Sequence, residues 1–417
     1  MPENFHIDMP EAVRNIIHTI EEHGFKAYAV GGCIRDSILG RNPDDWDITT
    51  SAVPSQIKTF FKRTVDTGIA HGTVTIMIDK TGYEVTTYRI DGEYEDGRHP
   101  KSVEFSDRLV DDLCRRDFTI NAMAYNDTDG FVDEFKGLDD LDTKIIRCVG
   151  EPELRFTEDA LRMMRAIRFS AQLGFTIDEA TWNAIKKLSP SISKISMERV
   201  HVELGKTLMS AHPDYVAQYS EAGLFAPILP VIDNALKSRY KRKILATLQH
   251  TPDNIYLRYA ALFITSTPDE AAKTLRALKL DNKTVNTVSK LVELSKMDIE
   301  ETELAVRTAL NKYGRDFLPL WHELMMAVIQ ASEDITGISN PAKVKHLLTL
   351  KRLGTDILAR GDCFTIKDLD ISGNDLIEYG LQGHEIGETL KSLLDIVIEN
   401  PKLNDKATLI AMIEHIK

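Results

Sequence analysis

Two aspartates flank a tryptophan in Asp45-Trp46-Asp47, at the head of the strand-like run Ile48-Thr49-Thr50. Residues i and i+2 of a strand face the same way, so the two carboxylates are expected side by side. Paired carboxylates suit hard divalent cations such as Mg²⁺, and two such ions about 4 Å apart can stabilise the attacking and leaving oxygens of a phosphoryl transfer. Glu84, in a later strand-like run, can add a third oxygen ligand if the two strands are neighbours. A D-x-D by itself is common at surface turns. Just upstream, Gly31-Gly32 sits where a strand turns into a helix, and glycines there let backbone N–H groups and a helix N-terminus approach phosphate. Arg35 lies one turn inside that helix. A tight turn that binds nothing is the competing reading of the glycines.

The elements that must hold these groups follow from periodicity. A helix is expected from Asp8, with Asp8 as cap and Pro10 in its first turn, through Val13, Ile16, Ile17 and Ile20 to Gly24. Residues 26–30 read as a strand, a second helix ends near Gly40, and residues 71–79 and 82–89 read as strands joined by Lys-Thr-Gly turn chemistry. The first ~150 residues are therefore mixed α and β. From Thr157 onward only helical periodicity appears, with breaks near Ser210, Tyr313 and residues 336–341.

The chain has 417 residues, 43% apolar and 28% charged, which are globular proportions for several domains. The acidic N-terminal stretch and the lack of an apolar run near the roughly 18 residues of a membrane span predict a cytoplasmic protein with no membrane partner. Four scattered cysteines, Cys33, Cys114, Cys148 and Cys363, encode neither a disulfide framework nor a zinc site. The net charge of −13, from 51 bases against 64 acids, argues against a broad nucleic-acid coat. A local basic track remains in Lys237, Arg239, Lys241, Arg242 and Lys243, with Tyr240 among them. It reads equally well as a solvated helix face.

Four ordered motifs, Val30-Gly-Gly-Cys-Ile-Arg35-Asp36, Asp44-Asp-Trp-Asp-Ile-Thr49, Arg115-Arg116-Asp117-Phe-Thr-Ile-Asn121-Ala-Met-Ala124 and Glu158-Asp159-Ala-Leu-Arg162-Met-Met-Arg165-Ala-Ile-Arg168-Phe169, together resemble the bacterial CCA-adding enzymes, class II tRNA nucleotidyltransferases of the polymerase β superfamily. The resemblance continues through Ile195-Ser-Met-Glu-Arg-Val200, and more loosely in Ile371-Ser-Gly-Asn-Asp-Leu376 and Gly383-His-Glu-Ile-Gly387. It implies an α+β multidomain protein: a polymerase β-like head with a mixed sheet (1–150), then an all-helical neck (151–210), body (211–312) and tRNA-binding tail (313–417). It implies two Mg²⁺ ions on Asp45 and Asp47, CTP and ATP as substrates, and tRNA as partner, with a homodimer left open. It also places Gly31, Gly32, Arg35, Arg116, Asp117, Asn121, Arg165 and Arg168 at the nucleotide. A charged loop at residues 91–100 accompanies addition of the final A in that family.

Base selection falls by the same resemblance on Asp159 and Arg162. Thr157 is the expected N-cap of their helix, which makes residues 159 and 162 surface neighbours. Cytosine and adenine both present an amino donor beside a ring-nitrogen acceptor. A carboxylate next to a guanidinium can accept those two bases and refuse uracil and guanine. The alternative functions are a CC-adding or A-adding enzyme, a poly(A) polymerase sharing the head, and a non-catalytic tRNA-binding protein. No His-Asp metal-hydrolase signature is present, so no phosphatase activity is expected.

Overall fold

The computed structural model describes residues 6–92 and 102–416, which fold as two compact units, Met1–Asp233 and Asn234–Lys417. Most of the loop expected at 91–100 lies outside the described residues.

In the first unit, α1 (Glu11–Glu22) buries Val13, Ile16, Ile17 and Ile20 and stops ahead of Gly24, whose φ is +85°. It begins at Glu11, not at Asp8, with Pro10 as an N-cap that makes no side-chain bond. The ring of Pro10 disfavours helical backbone at Met9, so the helix cannot begin earlier. A seven-stranded mixed sheet follows, built from β1 (Ala27–Val30), β2 (Ile48–Thr50), β3 (Thr64–Gly68), β4 (Thr73–Ile78), β5 (Thr81–Thr87), β6 (Ala124–Asn126) and β7 (Gly130–Val132). Its order is β3-β4-β5-β2-β1-β6-β7. Strands β4 and β5 form a hairpin whose two turn residues, Asp79 and Lys80, have φ of 46° and 73°. Left-handed backbone at both positions matches the twist of the strands. The turn thus falls one residue earlier than Lys-Thr-Gly, and Gly82 pairs within the ladder opposite Met77.

Strand β2 runs antiparallel to β1 and parallel to β5, with Ile48 level with Val85. The residues just before them, Asp47 and Glu84, therefore arrive at the same end of the sheet. Helix α2 (Gly32–Ile38) leaves the end of β1 there, and α3 (Leu109–Cys114) leads into the Arg115-Arg116-Asp117 segment.

The helix expected from Thr157 is two helices, α4 (Pro152–Glu158) and α5 (Leu161–Leu173). Pro152 starts the first, and Thr157 sits in its last turn, donating to the Glu153 carbonyl at 2.7 Å instead of capping anything. The break falls at Asp159 (φ −144°, ψ 104°), whose Oδ1 accepts from the Leu161 N–H at 3.0 Å. An aspartate that bonds nearby backbone competes with helix continuation. Helix α6 (Met197–Leu208) packs against α5. The expectation of no strand beyond Thr157 is also corrected, since Thr176–Ile177 pairs in parallel with Ile145–Ile146. Two residues are too few to leave a periodic signal.

The described part of the second unit is helical throughout. Its C-terminal core gathers Leu376, Leu393, Val397, Leu409 and Ile413. The loosely matching Ile371–Leu376 stretch is a helix start: Ser372 Oγ accepts from the Asp375 N–H, and Asp375 Oδ2 accepts from the Ser372 N–H at 2.7 Å. No helix among the described residues is long and apolar enough to cross a membrane.

Candidate active site

Residues 45–47 precede β2 but keep its alternation: Trp46 is buried while Asp45 and Asp47 are exposed on the same side. The ladder reaches this far, since the Val30 N–H donates to the Asp47 carbonyl at 3.0 Å. Desolvation of its carboxylate by the surrounding protein raises the pKa of Asp47, Arg116 opposes the rise, and Asp45 adds to it. Glu84 is raised by desolvation, then by Asp47 and Asp45. Three carboxylates thus feel one another at one end of the sheet, a repulsion that a divalent cation would relieve. No three His, Cys, Asp or Glu side chains among the described residues are gathered closely enough to enclose a metal by themselves. An Asp45–Asp47 pair still fits Mg²⁺, which typically binds through one or two carboxylates and fills its remaining positions with water and substrate phosphates.

Gly31 turns β1 into α2 with φ 88° and ψ −129°. The backbone angle there requires glycine, and an added Cβ would also meet Arg116 Nη1 at 2.8 Å and displace the guanidinium. Gly32 opens the helix, and Arg35 follows within it. Arg35 is only 9% exposed; it grips Asp36 through Nε (2.9 Å) and Nη2 (2.7 Å) and donates Nη1 to Asn121 Oδ1 at 2.6 Å.

Arg116 is held by Asp112, a carboxylate with no solvent exposure that sequence reasoning missed. Asp112 Oδ1 accepts from Arg115 Nε (2.9 Å) and Nη2 (2.6 Å), while Oδ2 accepts from Arg116 Nη2 (3.3 Å) and Thr49 Oγ1 (3.1 Å). Burial pushes its pKa up, but the two arginines outweigh burial and hold it below the ordinary value. The i, i+3 and i, i+4 spacing from Asp112 to Arg115 and Arg116 was the signal available in the sequence. Asp117 is buried too. Its Oδ1 accepts from the Phe118 N–H and Asn121 Nδ2, and its Oδ2 accepts from Arg165 Nε at 2.7 Å. Burial is again outweighed, here chiefly by Arg165 and Asn121, and the Asp117 pKa lies well below the carboxylate range.

A cavity of about 280 Å³ opens between this segment and the helices beyond it, lined by Arg115, Arg116, Asp117, Asp159, Leu161, Arg162, Arg165 and Arg199. Five arginines against two aspartates leave it cationic. Asp159 and Arg162 both line it, although Asp159 lies in the kink between α4 and α5 and not on the face of α5 as expected. Each is already engaged. Asp159 takes Arg199 Nη1 (3.2 Å) and Nη2 (2.6 Å), whereas Arg162 donates to Glu158 Oε2 (2.6 Å) and to the Arg115 carbonyl (2.9 Å). Arg199 was not singled out from sequence. It shares a face of α6 with Glu203, four residues on.

Arg35 and Arg168, both expected at the nucleotide, are buried and are not among the side chains lining the cavity. Arg168 Nε lies 2.7 Å from Glu203 Oε2. Burial lowers its pKa, Glu203 opposes this and Arg165 adds to it.

A larger cavity, about 700 Å³, lies in the second unit among Trp321, Met325, Val328, Ile329 and Leu347. Apolar side chains predominate in its walls, and the bases Lys243, Lys343 and His346 on its lining are offset by Asp298 and Glu333. The basic track surrounds the start of helix Lys241–His250, with Lys237, Arg239, Arg242 and Lys243 exposed and Lys241 half-buried. Arg239 lies over the Tyr240 ring, 5.0 Å from its centroid, and Arg242 Nη2 reaches the Asp334 carbonyl at 3.4 Å.

A mixed sheet presenting paired carboxylates at one end, with a cationic cavity at its junction with helices, defines a nucleotidyltransferase of the polymerase β type. Residues 27–147 match the family described as "Poly A polymerase head domain", residues 174–236 that described as "Probable RNA and SrmB- binding site of polymerase A", and residues 253–413 tRNA nucleotidyltransferase domain 2. Across its whole length the chain is 34% identical to the CCA-adding enzyme of Pediococcus pentosaceus, covering 98% of each chain. It is 36% identical to that of Ligilactobacillus salivarius, over 98% of this chain and 96% of the relative. The crystal structure of the Bacillus stearothermophilus CCA-adding enzyme in complex with CTP matches with a TM-score of 0.75 at 32% identity, covering 97% of this chain and 96% of that one. The chain belongs to the CCA-adding enzyme family.

Proposed function

We propose that the protein adds C, C and A to the 3′ end of tRNA from CTP and ATP without a nucleic-acid template. The observation that carries the reading is the arginine-lined cavity holding Asp159 and Arg162, in a chain whose full-length relatives are CCA-adding enzymes. The tRNA 3′-hydroxyl oxygen bonds to the α-phosphorus as the bond to the bridging oxygen breaks, and pyrophosphate leaves. Asp45 and Asp47 would hold Mg²⁺, with Glu84 close enough to act on them electrostatically. The two ions, when bound, neutralise charge on the attacking and leaving oxygens. Phosphoryl transfer needs mainly positioning and charge stabilisation, so no side-chain nucleophile is required.

Gly31 and Gly32 bring backbone close to the triphosphate, with Arg116 beside them, and Asp117, through Asn121 and Arg165, fixes the wall against which the sugar rests. Asp159 takes the base amino hydrogens and Arg162 gives to the ring nitrogen. A carboxylate has about four acceptor positions, so Asp159 can keep Arg199 while reading a base. Residues 151–210 act as neck, 211–312 as body and 313–417 as tail, and the bases of 237–243 contact tRNA phosphates. The reaction takes place in the cytoplasm, where tRNA and nucleoside triphosphates meet.

The test is incubation of purified protein with tRNA lacking its 3′ end and single radiolabelled nucleotides. Two C additions followed by one A are expected. Arrest after CC, addition of A alone, or a run of A would each replace this reading with a more specialised enzyme or a poly(A) polymerase.

A further inference from the structure

Phe169, in the third turn of α5, is 5% exposed. Three guanidinium groups lie over its ring, with Arg168 at 4.0 Å, Arg35 at 5.0 Å and Arg165 at 5.3 Å from the centroid. All three are within cation–π reach. The ring is fixed in turn by Phe118, edge-on at 5.7 Å. Each arginine has its own acidic partner: Asp36 for Arg35, Asp117 for Arg165 and Glu203 for Arg168. The cluster is therefore balanced, three positive against three negative, so a net positive charge is not what gathers these cations here. What they share is the ring.

The hydrogen bonds form a closed circuit through it. Arg35 donates to Asn121, Asn121 donates to Asp117, and Asp117 accepts from Arg165, so Arg35 and Arg165 are joined by polar bonds on one side and by the Phe169 ring on the other. Arg35 stands in the helix that follows Gly31-Gly32, whereas Arg165 lines the cavity beside Arg162. One end of the circuit faces the phosphate turn and the other the base-reading residues.

We propose that Phe169 is a positioning residue for nucleoside triphosphate binding, its aromatic face setting the guanidinium of Arg165 in the cavity and tying it to the helix at the phosphate turn. This rests on the reading of the cavity as the CTP and ATP site. Aliphatic packing alone would fill the same volume. Only a ring with a negative face orients cations that their carboxylates would otherwise hold at one edge.

The test replaces Phe169 with mono-, di- and trifluorinated phenylalanine, which weakens the ring quadrupole while nearly preserving shape, alongside Phe169→Leu. The readouts are calorimetric CTP affinity with Mg²⁺, KM and kcat for C and A addition, and the thermal midpoint. CTP affinity is expected to fall stepwise with each fluorine, while the thermal midpoint falls only slightly and the protein stays fully folded at the assay temperature. For Phe169→Leu, KM for both nucleotides is expected to rise about tenfold with kcat changed far less. A fluorine series with flat affinity overturns the proposal, as does a Leu variant that loses thermal stability but keeps KM. Should the Leu variant fail to fold, the fluorine series decides alone. Wild-type protein that binds neither CTP nor ATP would instead sink the assignment of the cavity, before any variant is made.

Discussion

At the scale of single residues, the carboxylate-bearing end of the sheet stores unfavourable electrostatics. Asp47 is raised in pKa by desolvation and by Asp45, so its ionised form is less welcome in the folded protein than in the unfolded chain. The destabilisation is absent at low pH and appears as pH rises through the ordinary carboxylate range. Asp47→Asn is therefore expected to raise the thermal midpoint slightly at pH 7 in metal-free buffer, while nucleotide incorporation falls by roughly 10³-fold through loss of a metal ligand. Glu84→Gln shares the sign of the first effect and is milder in the second. A thermal midpoint lowered by Asp47→Asn would show that the carboxylate is a structural partner and not a strained ligand.

At the scale of elements, the cavity wall is made by pairing buried charges between segments far apart in sequence. Asp117 on the segment after α3 and Arg165 on α5 are 48 residues apart; Asp117 is buried, while Arg165 lines the cavity with about a third of its side chain exposed. Breaking such a pair from the buried side removes charge-assisted hydrogen bonds and, with the exposed part of Arg165 screened by water, costs about 1–3 kcal/mol. Asp117→Asn should lose stability of that order at neutral pH, as read by denaturant titration. The folded-state pKa of Asp117 is depressed, so its contribution is fully present above the unfolded value of roughly 4 and drains away as pH falls below it. The gap between wild type and variant should accordingly narrow below pH 4. A gap that stays constant from pH 7 to pH 2 would mean that the pair carries no linked proton.

At the scale of the molecule, a chain of net charge −13 must meet a polyanion through local bases. Lys241, Arg242 and Lys243 occupy the first turn of a helix, where the positive end of the dipole disfavours cations. Helix stability does not account for them. Neutralising Lys237, Arg239, Lys241, Arg242 and Lys243 together with glutamine should weaken tRNA binding and flatten its salt dependence by roughly 0.7–0.9 in log–log slope for each tRNA phosphate left unneutralised. The choice between CTP and ATP should not change, because phosphate contacts position without specifying. An unaltered salt slope would return the track to a solvated helix face.

Features written in consecutive residues were legible without the fold. The D-x-D alternation survives with Trp46 inward and both carboxylates outward, Gly31 occupies a backbone angle that only glycine tolerates readily, and α1 buries the four apolar residues its periodicity marks. The parallel β2–β5 pairing that brings Glu84 level with Asp47 could be stated only as a condition, since strand order is not local. The remaining features depended on tertiary structure. Asp159 leaves the helix to bond the Leu161 N–H and to receive Arg199 from 40 residues away, and Arg35 turns inward to Asn121 across 86 residues. Asp112 becomes the anchor of two arginines only because folding buries it with Thr49 beside it. A side chain's type fixes what it can bond, but burial strips water from it and so decides which bond it must make, and burial is a property of segments that meet only once the chain has folded.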